Sequence, residues 1–385
     1  MIRLIIMTDF TESFGYNLLR GILEYSRETQ PWAVKRMPPS YKSAHGMEGV
    51  IECARQWEAD AIIGRFDSDD DISLFRENGI VAIAQDFKDR FSEIPNITSD
   101  YIRTGGMAAD FFLKKGFRNF GFYGYRNVCW SEERCEGFCT RLSEKGVKSE
   151  NIHTHTVRHL EDFWLYGPEN LNEWIRNLPK PVAVFACDDT QASSLIETCR
   201  MMGIKVPEEV AVLGTDNDET TCGLTSPTLS SINLNVRKGG YEAAALIDKM
   251  IKEKAYEADD ILIETTSVVE RMSTAVYPSS NPYIVKVLKY ISLNICSKIT
   301  MEDLLSQVPM SRRLLEIRFR QDTGQSIHQY ITSMRMSLFA QKLLISNESV
   351  ADVASRVGIH DTKNLSRIFR QAKGCTPAQY RKRHK

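Results

Sequence analysis

Two rhythms of apolar residues run along this chain. Up to about residue 272 the apolar positions gather in short runs. These are Leu4-Ile5-Ile6-Met7, Ala61-Ile62-Ile63-Gly64, Val81-Ala82-Ile83-Ala84, Phe120-Gly121-Phe122-Tyr123, Val182-Ala183-Val184-Phe185-Ala186 and Val210-Ala211-Val212-Leu213-Gly214. Uninterrupted runs of this length predict strands buried on both faces. Between them the apolar positions follow helical spacing, as at Leu18, Ile22 and Tyr25 within 14–28, and again over 102–115, 132–144, 169–177, 190–202 and 239–254. Shorter strands are expected at 231–233, 261–265 and 268–271. Alternating strands and helices predict parallel sheets covered on both faces. Residues 1–273 hold too many such units for one small sheet, so the fold class is α/β, doubly wound, in two lobes with a cleft between them.

The second rhythm begins at Tyr283. Ile284, Val287, Leu288, Ile291 and Ile295 share one helix face. One pattern is then stated twice. A short helix at 300–308, a turn at Pro309-Met310 and a basic helix at 311–320 are stopped near Gly324. A helix at 349–357, a turn at Gly358-Ile359-His360 and a basic helix at 361–370 are stopped by Gly374. Helix, tight turn and basic helix is how a chain offers a helix to the DNA major groove. The expected domains are therefore a sensor at 1–273, a linker at 274–282 carrying Pro278, Ser279, Ser280 and Pro282, and an all-α DNA-binding domain at 283–385 with helix-turn-helix units at 300–320 and 349–370.

Charge sharpens this division. The whole chain has 49 Lys+Arg and 50 Asp+Glu. Residues 282–385 hold 18 of the bases and 7 of the acids, a net of +11, which leaves the preceding region at −12. An acidic body with a basic tail points to an anionic polymer as the tail's partner. No stretch is long and apolar enough to span a membrane, and the short apolar N-terminus reads as a first strand rather than a signal peptide. A cytoplasmic location follows as an expectation. The nine cysteines form no Cys-x-x-Cys pair. Cys135 and Cys139, and the histidines 153, 155 and 159, are therefore expected to be free thiols and loop residues rather than a metal site. No cofactor is expected.

In open α/β sheets ligands bind beyond the carboxyl ends of the strands. Asp9, Gln85-Asp86, Asp188-Asp189 and Asp216-Asn217-Asp218 stand at such ends. Carboxylates there suit a metal, acid–base chemistry or the hydroxyl donors of a polyol, with Phe14 and Trp130 available to pack against an apolar sugar face. Asp at a strand end also serves as a helix N-cap. That role is expected for Asp189, and ligand contact for Asp188 and Asp216.

Residues 1 to about 272 resemble the sugar-binding domain of LacI-type repressors, itself similar to periplasmic sugar-binding proteins. The segments that carry the likeness are 14–21, 98–106, 116–123, Ser131-Glu-Glu-Arg-Cys-Glu-Gly-Phe138, Phe185-Ala-Cys-Asp-Asp189, Gly214-Thr-Asp-Asn217 and 269–274. The resemblance implies sugar contact at Arg134, Asp188 and Asp216, with Phe14 and Asp100 as further candidates. Gly214-Thr-Asp departs from the commoner aromatic–Asp pair. LacI-type proteins carry their DNA-binding domain at the N-terminus, whereas here the first strand is expected from residue 2 and the DNA-reading pattern lies at the other end. Residues 284–380 resemble the AraC/XylS-type double helix-turn-helix domain, through Ser311, Leu315, Phe319 and Gly324, then Arg335, Ala340 and Leu343-Leu344, then Val353-Ala354, Val357-Gly358, Leu365-Ser-Arg-Ile-Phe369 and Gly374-Cys-Thr-Pro377. This combination is similar to the layout of xylose operon regulators. It implies a pentose effector such as D-xylose.

Each recognition helix presents its N-terminal residues to base edges: Arg312, Arg313 and Glu316 in the first, Thr362, Lys363, Ser366 and Arg367 in the second. Ile317 takes a position where relatives often have Arg or another polar residue, so the first helix is expected to read fewer bases. A linking helix at 327–346 would span about 28 Å, close to the roughly 34 Å between successive major-groove faces. Arg335 on it is expected to be structural, and the terminal 381–385 run to attract phosphate only. The resulting expectation is a sugar-responsive activator, paired as a homodimer through its sensor, acting on tandem DNA sites and on RNA polymerase. The rival readings are a sugar-independent DNA-binding protein whose front domain only dimerises, and a glycoside-active enzyme.

Overall fold

Short apolar strands and amphipathic helices alternate as the pattern predicts. The computed structural model describes residues 1–10, 13–157, 170–275, 281–346, 348–359 and 364–384. They divide into two compact units, Met1–Ala275 and Val276–Lys385.

The first unit runs β1 (Arg3–Met7), α1 (Ser13–Glu28), β2 (Ala33–Met37), α2 (Pro39–Gln56), β3 (Ala61–Gly64), α3 (Ser73–Glu77), β4 (Val81–Gln85), β5 (Asn96–Ser99), α4 (Tyr101–Lys114), β6 (Phe120–Tyr125), α5 (Cys129–Glu144), β7 (Ile152–Val157), α6 (Leu171–Asn177), β8 (Val182–Ala186), α7 (Asp189–Met201), β9 (Val210–Asp216), α8 (Glu219–Leu224), β10 (Ser230–Leu234), α9 (Val236–Glu253), β11 (Ile261–Ile263) and β12 (Thr265–Val269). Among the described residues the strands form two six-stranded sheets, ordered β11-β5-β4-β3-β1-β2 and β12-β10-β9-β8-β6-β7. All pairs are parallel except β10 with β12. The chain passes between lobes after β5, after β10 and after β11, so the lobes are joined by several crossings rather than one. Each sheet is buried on both faces by its own apolar cluster, around Ile6 and Ile83 in the first lobe and Phe122 and Phe185 in the second.

The periodicity passes over β2, β5 and β7. These carry polar residues, Lys35-Arg36, Asn96 with Thr98, and an alternation of histidine and threonine. His153 and His155 therefore lie on an edge strand, not in a loop, and His155 stacks on the rings of Tyr123 and Trp174 at 5.9 and 5.3 Å. His159 falls outside the described residues. The sensor also extends further than expected. Thr274 is fully buried and shares a 2.7 Å hydroxyl hydrogen bond with Ser230, so it packs with the sheet rather than opening the linker.

Among the described residues the regular structure of the second unit is helical: α10 (Pro282–Leu293), α11 (Met301–Leu305), α12 (Arg312–Thr323), α13 (Ile327–Ile345), α14 (Val350–Arg356), α15 (Leu365–Lys373) and α16 (Pro377–His384). It has two apolar cores. One joins α10, α11 and α12 around Leu288, Leu315 and Phe319; the other joins α13, α14 and α15 around Phe339, Val353 and Phe369.

One close approach positions the sensor's central side chain. Helices α4 and α5 cross with their backbones in contact. A Cβ on Gly105 would overlap the Arg134 carbonyl, and one on Gly137 would overlap that of Ile102. Its neighbour Gly106 faces only Arg141 side-chain atoms, 3.9 Å away. Gly105→Ala is therefore expected to destabilise the sensor by about 1–3 kcal/mol through overpacking. Gly106→Ala should be neutral or stabilise it by up to about 1 kcal/mol through helix propensity. Urea unfolding of the two variants measures the difference, and equal midpoints would contradict the crossing.

Candidate sugar cleft and DNA-reading helices

The strand ends of the two lobes line one cavity. Ser13, Phe14, Arg65, Gln85, Asp86 and Tyr101 meet Trp130, Arg134, Asp188, Asp189, Thr190, Asp216 and Asp218. Arg134, on the second turn of α5, is 3% exposed. Its Nη1 donates to the Cys187 carbonyl at 2.5 Å, and its Nη2 lies 3.6 Å from Asp216 Oδ1. The guanidinium sits 5.1 Å from the ring centroids of both Tyr101 and Trp130, within range of a cation–π attraction.

Carboxylates surround it in different states. Asp86 is buried and accepts from Thr98 Oγ1 at 2.5 Å and Tyr101 Oη at 2.8 Å. Burial pushes its pKa up, against those hydrogen bonds and Arg90. Arg90 also pairs with Glu133 on α5 at 2.8 Å, an ion pair between the lobes. Asp189 is wholly buried, accepting from Ser231 Oγ at 2.5 Å and the Asp218 N–H at 2.7 Å. Burial holds its pKa well above the ordinary carboxylate value, and the nearby Asp216 adds to this.

The expected division of labour between Asp188 and Asp189 is reversed in part. Asp188 caps α7, its Oδ1 accepting from the Gln191 N–H at 2.6 Å, while still lining the cavity. Asp189 lies inside the helix and ties it to β10. Thr215, fully buried, stands where the commoner pair has its aromatic residue, and the Gly214 before it has a local reason of its own: a Cβ there would overlap the Asp189 carboxylate. Asp216 and Asn217 have φ of +98° and +53°. Non-glycine residues rarely adopt such values except where surrounding structure holds them. Here Asn217 is held through its backbone N–H and both polar atoms of its side chain. Its N–H donates to Ser231 Oγ at 3.0 Å, its Nδ2 to Asn233 at 3.1 Å, and its Oδ1 accepts from Arg271 at 2.8 Å.

Phe14 lines the cavity, but Asp9 and Asp100 are not among its lining residues. Asp100 is exposed and caps α4, accepting the Arg103 N–H at 2.8 Å. Sequence reasoning did not single out Arg65 or Tyr101, and it named Asp218 only as part of the strand-end run 216–218. Arg65 follows β3 directly, so the strand-end rule points to it. Tyr101 opens a helix and carries no such signal.

In the second unit, α11 and α14 begin alike, with Thr300 and Ser349 capping the N–H groups of Asp303 and Asp352 at 3.2 and 3.1 Å. Gly324 and Gly374 end α12 and α15 in the left-handed region, at φ +73° and +76°. On α12, Leu315 and Phe319 are buried, and Arg312, Arg313 and Glu316 are exposed. Arg312 and Glu316 pair with each other at 3.0 Å. On α15, described over Leu365–Lys373, Ser366 and Arg367 are exposed in the first turn. Thr362 and Lys363 fall outside the described residues. Arg335 is structural, donating to the carbonyls of Ile295 and Ser297 at 2.9 and 2.5 Å. Arg381 is not a mere phosphate attractor. It donates to the Leu343 carbonyl at 3.0 Å, near the end of α13, because α16 folds back onto that helix.

Residues 109–274 match the periplasmic binding protein-like domain family, and residues 304–383 the helix-turn-helix domain family. The chain is a DNA-binding transcriptional regulator. It is similar along its length to xylose operon regulatory proteins: 24% identical over 394 residues to that of Escherichia coli K12, covering 98% of this chain and 96% of the relative. It is 28% identical over 333 residues to that of Haemophilus influenzae, covering 85% and 86%. A solved structure described as "structure of xylose-binding transcription activator xylR" shares the fold with a TM-score of 0.58 at 23% identity, covering 99% of this chain and 98% of that one. These relatives are named as regulators.

Its helix ends yield a stability prediction. Arg381→Ala removes a charged donor from a partly buried carbonyl and should cost about 1–3 kcal/mol. The exposed neighbour Lys382→Ala should leave stability within about 0.5 kcal/mol. Thermal unfolding of both variants checks this, and equal melting temperatures would return Arg381 to a purely electrostatic role.

Proposed function

We propose that the protein is a sugar-responsive activator in which a pentose, D-xylose being the foremost candidate, binds between the sensor lobes and brings the C-terminal helices to tandem DNA sites. The observation that carries this reading is the convergence of Arg134 with strand-end carboxylates between aromatic faces. A guanidinium offers five N–H donors, and Arg134 Nε has no hydrogen-bond acceptor among the described residues. Asp188 and Asp216 accept from sugar hydroxyls, and Phe14 and Trp130 pack against the apolar ring face. The names of the full-length relatives favour xylose. The proposed domains are a sensor at 1–273 with its last turn reaching 275, a linker up to 282, and a DNA-binding domain at 283–385. The proposed assembly is a homodimer through the sensor, acting on RNA polymerase.

Ligand control requires unequal sugar affinity in two arrangements. A sugar touching both lobes favours the closed cleft. From the cavity, Asn217 connects to Arg271, whose N–H donates to Ser230 Oγ at 2.7 Å, and Ser230 in turn meets Thr274. This hydrogen-bonded path ends where the sensor ends.

Calorimetric titration with D-xylose, L-arabinose and D-ribose should find binding by at least one pentose. Arg134→Ala and Asp216→Ala should weaken it by at least tenfold, in keeping with about 1.5–3 kcal/mol for a charged hydrogen bond. Asp100→Ala should leave affinity unchanged while losing about 1 kcal/mol of helix-cap stability. No binding by any sugar, with a footprint that sugar never alters, would leave the front domain a dimerisation module only. On the DNA side, Arg313→Ala and Arg367→Ala should each cost about 1–3 kcal/mol at their own half of the site. Footprints unchanged by both would remove α12 and α15 from the interface.

A further inference from the structure

The outermost line of α12 is not what a purely polar reading of DNA would place there. Leu315 and Phe319 anchor the helix in its core. At about 100° per residue, Ile317 lies about 160° from each anchor, directly opposite the core. Ile317 is 46% exposed and Leu314 43%. Arg313 precedes Ile317 by one turn on the same outward stripe. Arg312 and Glu316, by contrast, lie towards the flank and are engaged with each other. Removing a large aliphatic side chain at the most protruding point of a helix from water is favourable, so its placement suits an apolar partner. Its surroundings name the partner's charge: Arg312, Arg313, Arg318 and Arg320 are all exposed on this helix, and the region from residue 282 onward carries +11. In the DNA major groove the apolar group within reach of a helix is the thymine C5-methyl.

We infer that Ile317, supported by Leu314, reads a thymine methyl group, next to the base contacted by Arg313. This rests on the DNA-reading assignment of α12. It changes the role of the first helix. Rather than reading fewer bases, it reads one of them by apolar contact, and its half-site holds an A·T pair at that position.

The test uses the full-length protein and an operator selected by it from a random duplex library. Each thymine of the selected site is replaced in turn by deoxyuridine, which lacks only the methyl group. Binding is followed by fluorescence anisotropy. One replacement in the α12 half-site should weaken wild-type binding about fourfold, the value of one buried methyl-sized group. The same replacement should have no effect on Ile317→Ala, whose exposed position leaves the fold intact. Ile317→Arg should move the preferred base there from thymine towards guanine. The inference is overturned if no deoxyuridine affects that half-site, if Ile317→Ala shows the same loss, or if Ile317→Ala keeps wild-type affinity and loses only transcriptional activation, which would assign the patch to a protein partner. Arg313→Ala separates the two levels. If it weakens binding while deoxyuridine does not, only the methyl contact falls; if it too has no effect, the DNA-reading assignment of α12 falls.

Discussion

Arg134 is a cation held almost wholly out of water, and the sensor is arranged around meeting its demands. A buried charge is strongly unfavourable unless it is paired and hydrogen-bonded. The sensor answers from several directions at once: the Cys187 carbonyl after β8, the Asp216 carboxylate at the end of β9, and the faces of Tyr101 and Trp130. The ion pair with Asp216 is a long one, at 3.6 Å. The result is a fixed positive group with donor capacity left over, ringed by acceptors at fixed heights. A ligand rich in hydroxyls, each both donor and acceptor, fits that pattern better than a plain anion or cation does.

Meeting this demand sets conditions on the surrounding backbone. Helix α5 reaches the cavity only because Gly105 and Gly137 let it lie against α4 with no side chain between them. Asp216 faces Arg134 only because the chain turns through two left-handed residues, and Asn217 holds that turn with its side chain and backbone together. The strain is thus balanced by hydrogen bonds that also reach Arg271 and the last turn of the sensor. Stabilising the cavity and connecting it to the exit of the domain involve the same residues.

Much of this was legible in the sequence, and for an identifiable reason. Parallel strands buried on both faces are continuous apolar runs, so β3, β4, β8 and β9 announce themselves, and the strand-end rule then picks out Gln85-Asp86, Asp188 and Asp216. The strands that escaped notice lie at edges or bury polar groups, where the apolar signal is broken. The cap role was expected at Asp189 rather than Asp188 because both stand at the same strand end. Which one caps the helix depends on one residue of register, and Asp189 was claimed by Ser231 from a strand distant in sequence. Asp100 caps α4 and is not among the cavity-lining residues, a role that an Asp just before a helix takes up through the adjacent N–H groups alone. Local pattern shows that a carboxylate has a job; only the three-dimensional packing shows which one.

The DNA-binding unit poses the opposite problem, rigidity rather than convergence. Helix α13 is continuous over 19 residues, and each of its ends belongs to a different apolar core. Two cores joined by one unbroken helix would still allow some bending between them. The end of α10 removes much of that freedom. Arg335 on α13 is hydrogen-bonded to the Ile295 and Ser297 carbonyls. Gly358, at the turn of the second helix pair, packs so closely on Cys296 that a Cβ would press against its carbonyl. The same short segment thus touches the linking helix and the second reading unit. Close-packed elements of this kind shift between discrete arrangements rather than deforming continuously. The spacing of α12 and α15 is therefore a property of the unit itself, and a ligand signal has little slack to exploit inside it.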